Sequence, residues 1–189
     1  MKIGLFFGSF NPVHHGHLII AQHLINETEL KQVWMVVSPR NPFKLQSQLL
    51  DEYQRLHLVH LALDNNPKIK ASDIEFHLPK PSYTIDTLTY LEEKYPKHSF
   101  SVIMGSDSLQ NLAKWKSAPV LMEKYPIYVY KRPGFDTVNP GCKTLHILDA
   151  PLIEISATRV RELIKNNKSL RYLIPDSVIE EIDNSGYYR

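Results

Sequence analysis

The residues best suited to chemistry in this 189-residue chain lie close to its N-terminus, between Gly8 and His17. Gly8 and Ser9 let a backbone approach a ligand closely, and Gly16 stands where a helix should open, so that free amides and the positive helix end attract an anion. His14 and His17, three positions apart, can both face that anion and donate hydrogen bonds without a permanent charge. The segment therefore predicts an anion site. An ordinary strand-to-helix turn and a zinc site, which needs three or four ligands, are the alternatives.

A second segment of this kind, Ile155 to Arg161, lies near the other end of the chain. Ser156 or Thr158 can cap the helix that follows, which would place another set of free amides at a ligand. Taken alone, the segment also fits a well-capped helix without a ligand.

The pattern of the whole chain predicts how these segments are positioned. Apolar runs typical of buried parallel strands alternate with stretches of helical periodicity, which indicates an α/β fold with a doubly wound parallel sheet. Ligands in such folds gather at the carboxyl ends of the strands. The helix near residue 83 is expected to be capped near Ser82 or Thr84. Strands are predicted at 3–7, 33–37, 69–76, 100–104, 126–130 and 144–148, and helices at 17–26, 51–63, 83–95, 158–166 and 176–184.

Basic residues follow two of the predicted strands. Arg40 and Lys44 come after the second strand, and Lys131 and Arg132 come directly after the fifth. Both clusters should lie over a cleft at the strand ends, where phosphate binding is one use for them and solvated loop charge is the other. The segment from residue 39 to 49 is the best candidate for a mobile loop.

Composition limits the classes of protein that the chain can represent. With 43% hydrophobic residues it can bury one sizeable core, and we expect a single domain over residues 1–189. The formal net charge of +2 is too mild for a nucleic-acid coat or an anionic membrane surface. The single cysteine, Cys142, excludes an internal disulfide and is not expected to be catalytic. The N-terminal apolar run is too short for a secretion signal, so we expect a cytoplasmic protein; a homo-oligomer is left open.

The two segments together resemble the paired signatures of the adenylyltransferase/cytidylyltransferase superfamily, Gly-x-Phe-x-Pro-x-His-x-Gly-His and Ile-Ser-x-Thr-x-x-Arg. That resemblance implies a Rossmann-like fold with a small helical C-terminal part, about residues 156–189. It also implies transfer of a nucleotidyl group from a nucleoside triphosphate whose phosphates contact the paired histidines. In the second signature it implies triphosphate binding by Ser156, Thr158 and Arg161. The residues that match the first are Gly8, Phe10, Pro12, His14, Gly16 and His17.

Almost the whole chain is similar to a narrower family, the bacterial nicotinate-nucleotide adenylyltransferases. Residues 82–88 look like its Ser-Tyr-Thr-x-Asp-Thr-Leu element, which implies that Thr84 helps bind a nicotinate carboxylate. The stretch from Gly105 resembles its Gly-x-Asp-x-Leu…Trp element, which implies that Asp107 meets a ribose and that Trp115 stacks on the pyridine ring. Without the resemblance, Thr84 is an ordinary helix start and Trp115 a core or interface residue. The resemblance also favours Lys44 and Arg132, the latter as a contact to the mononucleotide phosphate.

The implied reaction joins nicotinate mononucleotide to the AMP part of ATP, which gives deamido-NAD (nicotinate adenine dinucleotide) and pyrophosphate without a covalent enzyme intermediate. Mg²⁺ should arrive with ATP and bridge its triphosphate. Alternatives are transfer to nicotinamide mononucleotide, phosphopantetheine or an alcohol phosphate, a catalytically silent nucleotide sensor, and a histidine-metal hydrolase. The predicted site comprises His14 and His17 as catalytic residues, Gly8, Ser9, Phe10, Gly16, Gly105, Asp107, Ser156, Thr158 and Arg161 for ATP, and Lys44, Thr84, Trp115 and Arg132 for the mononucleotide.

Overall fold

The computed structural model describes residues 1–39, 49–151 and 153–189, and these form an α/β fold around one parallel sheet. Short 3-10 turns at Ile74–His77 and Leu112–Lys114 connect some of its elements. The strands and helices are, in chain order, β1 (Lys2–Gly8), α1 (His15–Glu27), β2 (Gln32–Val37), α2 (Glu52–Leu63), β3 (Ile69–Ser72), α3 (Thr84–Lys94), β4 (Ser99–Gly105), α4 (Ser106–Leu109), α5 (Ala118–Lys124), β5 (Ile127–Tyr130), β6 (Leu145–Leu148), α6 (Ala157–Lys165) and α7 (Asp176–Ser185).

The sheet has the strand order β3-β2-β1-β4-β5-β6, with every neighbouring pair parallel. This is the order of the Rossmann fold, in which the chain winds outward from β1 in one direction and then restarts beside it with β4. The doubly wound parallel sheet predicted from the sequence is confirmed. A crevice is expected where the order reverses, outside the carboxyl ends of β1 and β4.

Helices cover both faces of the sheet, and each face has its own apolar core. On one face, buried residues of α1, α2, α6 and α7 pack with Phe6 and Met35 of the sheet. On the other, α3, α4 and α5 pack with Leu5 and Val102. Because successive side chains of a strand point to opposite faces, Leu5 and Phe6 belong to different cores. The C-terminal helices α6 and α7 therefore share one apolar core with this face of the sheet. The single domain stays a prediction.

Two local predictions were wrong, and two short helices were missed. β3 ends at Ser72 instead of residue 76, because the register pairs Ser72 with Val36 and β2 has almost ended there. The short helices α4 and α5 were not predicted, since four and seven residues are too few to show a helical period. Helix α3 has Tyr83 as its N-cap and no side-chain cap, because the Ser82 hydroxyl is bonded elsewhere. No helix in the described part of the chain is long and apolar enough to cross a membrane.

Candidate active site

A cleft of about 710 Å³ opens at the carboxyl ends of β1 and β4, where the strand order reverses. Its walls are formed by the loop after β1 and by the N-termini of α1, α3 and α6. Arg132, which follows β5, also lines it. Of the predicted site residues, Gly16 lies outside this lining and Lys44 outside the described residues, as does most of the proposed mobile loop. The others that line it are Gly8, Ser9, Phe10, His14, His17, Thr84, Gly105, Asp107, Trp115, Arg132, Ser156, Thr158 and Arg161.

The two predicted catalytic histidines stack against each other at the start of α1. Their ring centroids are 3.7 Å apart and the ring planes differ by 24°. The backbone N–H of His14, which is the N-cap residue, donates to Nδ1 of His17 at 3.3 Å. Since Nδ1 of His17 accepts this bond, the proton of the neutral ring is on Nε2. His17 is therefore set up as a hydrogen-bond donor through Nε2.

His14 is held as a neutral imidazole. Its side chain is only 6% exposed, and burial, with smaller contributions from the charge of Arg132 and from His15, lowers the pKa of His14 to about 4. Its Nδ1 atom is buried and has no hydrogen-bond partner among the described residues. A Cβ atom on Gly16 would lie 3.0 Å from that Nδ1. Gly16 thus serves the site by leaving room for the His14 ring.

The two signatures meet through Arg161, which bonds to a residue 150 positions earlier in the chain. Its Nη1 donates to the carbonyl oxygen of Asn11 at 2.7 Å, and its Nη2 donates to the Thr158 hydroxyl at 3.3 Å. Ser156 is the N-cap of α6, and its hydroxyl accepts from the backbone N–H of Arg159 at 3.2 Å, so the predicted cap is confirmed. The N-terminus of α6 and a fixed guanidinium therefore lie against the loop that carries the histidines.

Asp107 and Arg132 form an ion pair across the end of β4. Nε of Arg132 is 3.3 Å from Oδ1 of Asp107, and both side chains remain partly exposed. Arg132 also donates from Nη2 to the Tyr130 hydroxyl at 3.1 Å and from its backbone N–H to the Ser106 hydroxyl at 2.9 Å. A Cβ atom on Gly105 would lie 2.9 Å from Nε of Arg132, so this pair needs a glycine beneath it. Both charged groups reach the cleft while still bonded to each other.

Sequence reasoning missed Arg55, which supports the floor of the site. Arg55 is fully buried on α2. Its guanidinium donates to the carbonyl oxygens of Ser9 at 2.6 Å, Ser38 at 2.9 Å, Pro39 at 3.3 Å and Leu50 at 2.7 Å. Burial lowers its pKa. One buried cation thus ties the loop after β1 to the end of β2, and no residue pattern in the sequence signals it.

A second missed residue, Glu75, lines the cleft near Thr84. It is 2% exposed, and its carboxylate accepts hydrogen bonds from the hydroxyls of Ser82 at 2.8 Å and Thr87 at 3.0 Å. Burial raises the pKa of Glu75, and the hydroxyl bonds oppose that effect. The sequence offers only an isolated glutamate in a segment that was expected to be strand.

Metal ligands were one alternative for the histidines. Across residues 1–39, 49–151 and 153–189, the structure brings together no group of three or more His, Cys, Asp or Glu side chains that could hold a metal ion. What the cleft does bring together is guanidinium groups, helix N-termini and imidazole donors, which are groups that bind phosphates.

The strand order and the cleft at its switch point are those of the nucleotide-binding α/β class of proteins. The model of the cytidylyltransferase-like family matches residues 5–163. A probable nicotinate-nucleotide adenylyltransferase of Flavobacterium psychrophilum is 51% identical over 192 aligned positions, covering 100% of each chain. The nicotinate-nucleotide adenylyltransferase of Bacillus subtilis is 34% identical, covering 99% of this chain and 98% of the other.

A solved structure is also similar in fold. The Plasmodium falciparum nicotinic acid mononucleotide adenylyltransferase complexed with NaAD has a TM-score of 0.83 and 20% identity, covering 99% of this chain and 97% of that one. From these similarities, the chain belongs to the cytidylyltransferase-like family and, within it, to the nicotinate-nucleotide adenylyltransferases.

Proposed function

We propose that the cleft carries out the family's reaction with the residues that line it: a phosphate oxygen of nicotinate mononucleotide attacks the α-phosphorus of ATP. The new P–O bond forms as the bond from the α-phosphorus to the bridging oxygen breaks, and pyrophosphate leaves with that electron pair. The products are nicotinate adenine dinucleotide and pyrophosphate. The observation that carries the assignment of residues is the bond from Arg161 to the Asn11 carbonyl, which joins the two signatures into one phosphate site.

The triphosphate lies between the start of α1 and the start of α6 in this proposal. His17 donates from Nε2, and the ring of neutral His14 stacks on it. In this proposal both histidines contact the α- and β-phosphates. Ser156, Thr158 and Arg161 meet the β- and γ-phosphates, where the N-terminus of α6 adds its partial positive charge. Fixed donors of this kind stabilise charge that builds on the phosphates during transfer without having to reorganise.

The acceptor lies on the other side of the cleft, between α3 and the residues that follow β4. Trp115 packs partly against the core and also lines the cleft, so one face of its indole is offered to the pyridine ring. Thr84, the first residue of α3, lies where a helix N-terminus favours the nicotinate carboxylate. Arg132 contacts the mononucleotide phosphate and Asp107 a ribose. Lys44 is proposed as a further contact to the mononucleotide.

Mg²⁺ enters as part of the ATP substrate in this proposal, and it supplies neutralising charge on the triphosphate. ATP and nicotinate mononucleotide are the partners. The location that we propose is cytoplasmic, because Cys142 is a buried free thiol, which suits a reducing compartment.

Pyrophosphate release tests the choice of substrates. The purified protein with Mg-ATP should release pyrophosphate with nicotinate mononucleotide, and more slowly with nicotinamide mononucleotide or phosphopantetheine. Trp115→Leu should raise the KM of the mononucleotide about tenfold, since stacking of a base on an aromatic ring contributes about 1–3 kcal/mol. Trp34→Leu is the matched control, because Trp34 lies on β2 against Tyr95 and Phe100 and outside the cleft lining.

The same assay separates the alternatives. A preference for phosphopantetheine, or for CTP over ATP, would contradict the substrates proposed here. ATP binding without turnover of any acceptor would favour a nucleotide sensor.

A further inference from the structure

Glu75 presents a carboxylate in the wall of a cleft that receives anions, where its charge alone would hinder binding. The residue lies in the 3-10 turn that follows β3 and is almost fully buried. Within the described residues no lysine or arginine forms an ion pair with it. Its two oxygens instead accept from the hydroxyls of Ser82 and Thr87, and Ser38 at the end of β2 is a further side-chain partner. A buried carboxylate is costly unless it is hydrogen-bonded, so these two bonds constrain both partners.

The two hydroxyls lie on either side of the start of α3. Ser82 comes just before the N-cap residue Tyr83, and Thr87 lies at the end of the first turn. The helix lacks a side-chain cap at Tyr83. Two groups hold its first turn from outside: Glu75, which is buried and bonds Thr87, and Lys116, which is exposed and pairs with Asp86. Thr84 sits between the two anchored hydroxyls. By bonding to both hydroxyls, Glu75 therefore helps to fix the position of Thr84 and of the adjacent helix N-terminus in the cleft.

We propose that Glu75 is a positioning residue for the acceptor base: by accepting from Ser82 and Thr87 it fixes the first turn of α3, so that Thr84 and the helix N-terminus meet the carboxylate of the pyridine ring. The inference rests on the proposed function, because it uses nicotinate mononucleotide as the acceptor. It assigns Glu75 a role that acts through the first turn of α3 and Thr84.

The substitution Glu75→Gln distinguishes a positioning role from a purely electrostatic one, because the two roles predict opposite changes in the KM of the mononucleotide. If Glu75 acted only through its negative charge, Glu75→Gln would remove repulsion and lower the KM of an anionic acceptor. If it acts by positioning, the amide keeps the size of the side chain but replaces one acceptor oxygen with a donor. One hydroxyl must then accept where it donated, which changes the geometry of its bond. The first turn shifts, and the KM of the acceptor rises.

The experiment compares steady-state constants for both substrates. In Glu75→Gln the KM of nicotinate mononucleotide should rise about tenfold, equivalent to about 1.4 kcal/mol. The kcat and the KM of ATP should stay within about threefold of the unmodified protein. The ratio of kcat/KM for nicotinate over nicotinamide mononucleotide should fall, because the helix N-terminus favours the carboxylate. Asp73→Asn is the matched control, since Asp73 is exposed at the same turn and pairs with His77.

Thr87 provides a second test that does not alter the cleft surface. Thr87 is fully buried and is not among the lining residues, so it cannot contact the substrate. Thr87→Val removes its hydroxyl at nearly constant shape and should raise the KM of the mononucleotide, whereas Thr87→Ser keeps the hydroxyl and should not. In the double variant Glu75→Gln/Thr87→Val the effects should be less than additive, because both changes disturb the same hydrogen-bonded group of side chains.

Several results would overturn the inference. These are a lower KM for the mononucleotide in Glu75→Gln, an equal rise in the KM of both substrates, and a fall in kcat alone. If Glu75→Gln does not fold, the Thr87→Val and Thr87→Ser pair decides in the same way. Failure of the proposed function is distinct, because it would show in the unmodified protein as no pyrophosphate release with nicotinate mononucleotide.

Discussion

His14 should remain neutral in the free protein far below the pH at which an exposed histidine takes up a proton. Burial of its ring is the main cause, and the positive charge of Arg132 is the next. Together with His15 they lower the pKa of His14 from 6.5 to about 4. The unfolded chain keeps the ordinary value, so between pH 6.5 and about 4 the unfolded state binds a proton that the folded state does not.

The sign of the effect on stability follows from that difference. The free energy of unfolding should fall as the pH is lowered from 6.5 to about 4, and the contribution of His14 should be constant above and below this window. Lowering the pKa from 6.5 to about 4 corresponds in total to about 3 kcal/mol, at 1.36 kcal/mol per unit. About 2 kcal/mol of this should be lost between pH 7.5 and pH 5.

Urea unfolding at pH 7.5 and pH 5 measures the loss. His14→Gln, which cannot titrate, is the control, and its unfolding free energy should fall by about 2 kcal/mol less than that of the unmodified protein over this range. Imidazole NMR signals of the ligand-free protein give the pKa directly, and Arg132→Met should raise it because one cause of the lowering is removed. A midpoint for His14 near 6.5, or equal pH dependence of the two proteins, would refute the reasoning.

Two further predictions concern His17, which is proposed to bind the phosphates, and Arg55, which bonds to the loop after β1. His17→Ala should lower kcat by about two or more orders of magnitude, the effect of losing a hydrogen bond made in the transition state, and leave the protein folded. His23→Ala on the same helix is its control, and near-normal turnover of His17→Ala would contradict the role of His17. Arg55→Met should lower the free energy of unfolding by about 3 kcal/mol, since buried carbonyl groups lose a charged donor. Unchanged urea midpoints would contradict this, and Arg55→Lys should restore only part of the loss because an ammonium group cannot span all four carbonyls.

The cleft could be located from the sequence because both segments that are proposed to bind phosphates follow local rules. A small, glycine-containing turn at the end of an apolar run predicts a strand-to-helix junction, and a Ser-x-Thr pattern predicts a helix cap; both were found, at Gly8 and Ser156. Alternating strands and helices then placed these junctions at one edge of the sheet. Nothing local, however, indicates that Arg161 bonds to Asn11, since that contact joins distant parts of the chain.

Arg55 and Glu75 could not be predicted for a related reason. A charged side chain in a helix or after a strand is normally solvated, and the residue types around it do not change that expectation. Arg55 is buried because four carbonyl groups from three segments converge on it. Glu75 is buried because β3 stops early and the turn that follows directs it toward α3. The burial of both side chains depends on where strands end. Of the features of a strand, its ends are what an apolar pattern predicts least well.

The charges of the site fall into two groups with different roles. The permanent cations are held by the protein itself: Arg161 by the Asn11 carbonyl, Arg132 by Asp107 and Tyr130. These bonds position both cations over the cleft, where in the proposed function their charge attracts two anionic substrates. His14, in contrast, has no fixed charge, because its pKa of about 4 leaves it neutral over the whole physiological range. An interaction that is equally strong in the ground state and in the transition state lowers KM, whereas a donor aimed at the α-phosphorus acts most strongly as charge builds there. Substitutions of Arg132 should therefore affect mainly KM, and substitutions of His17 mainly kcat.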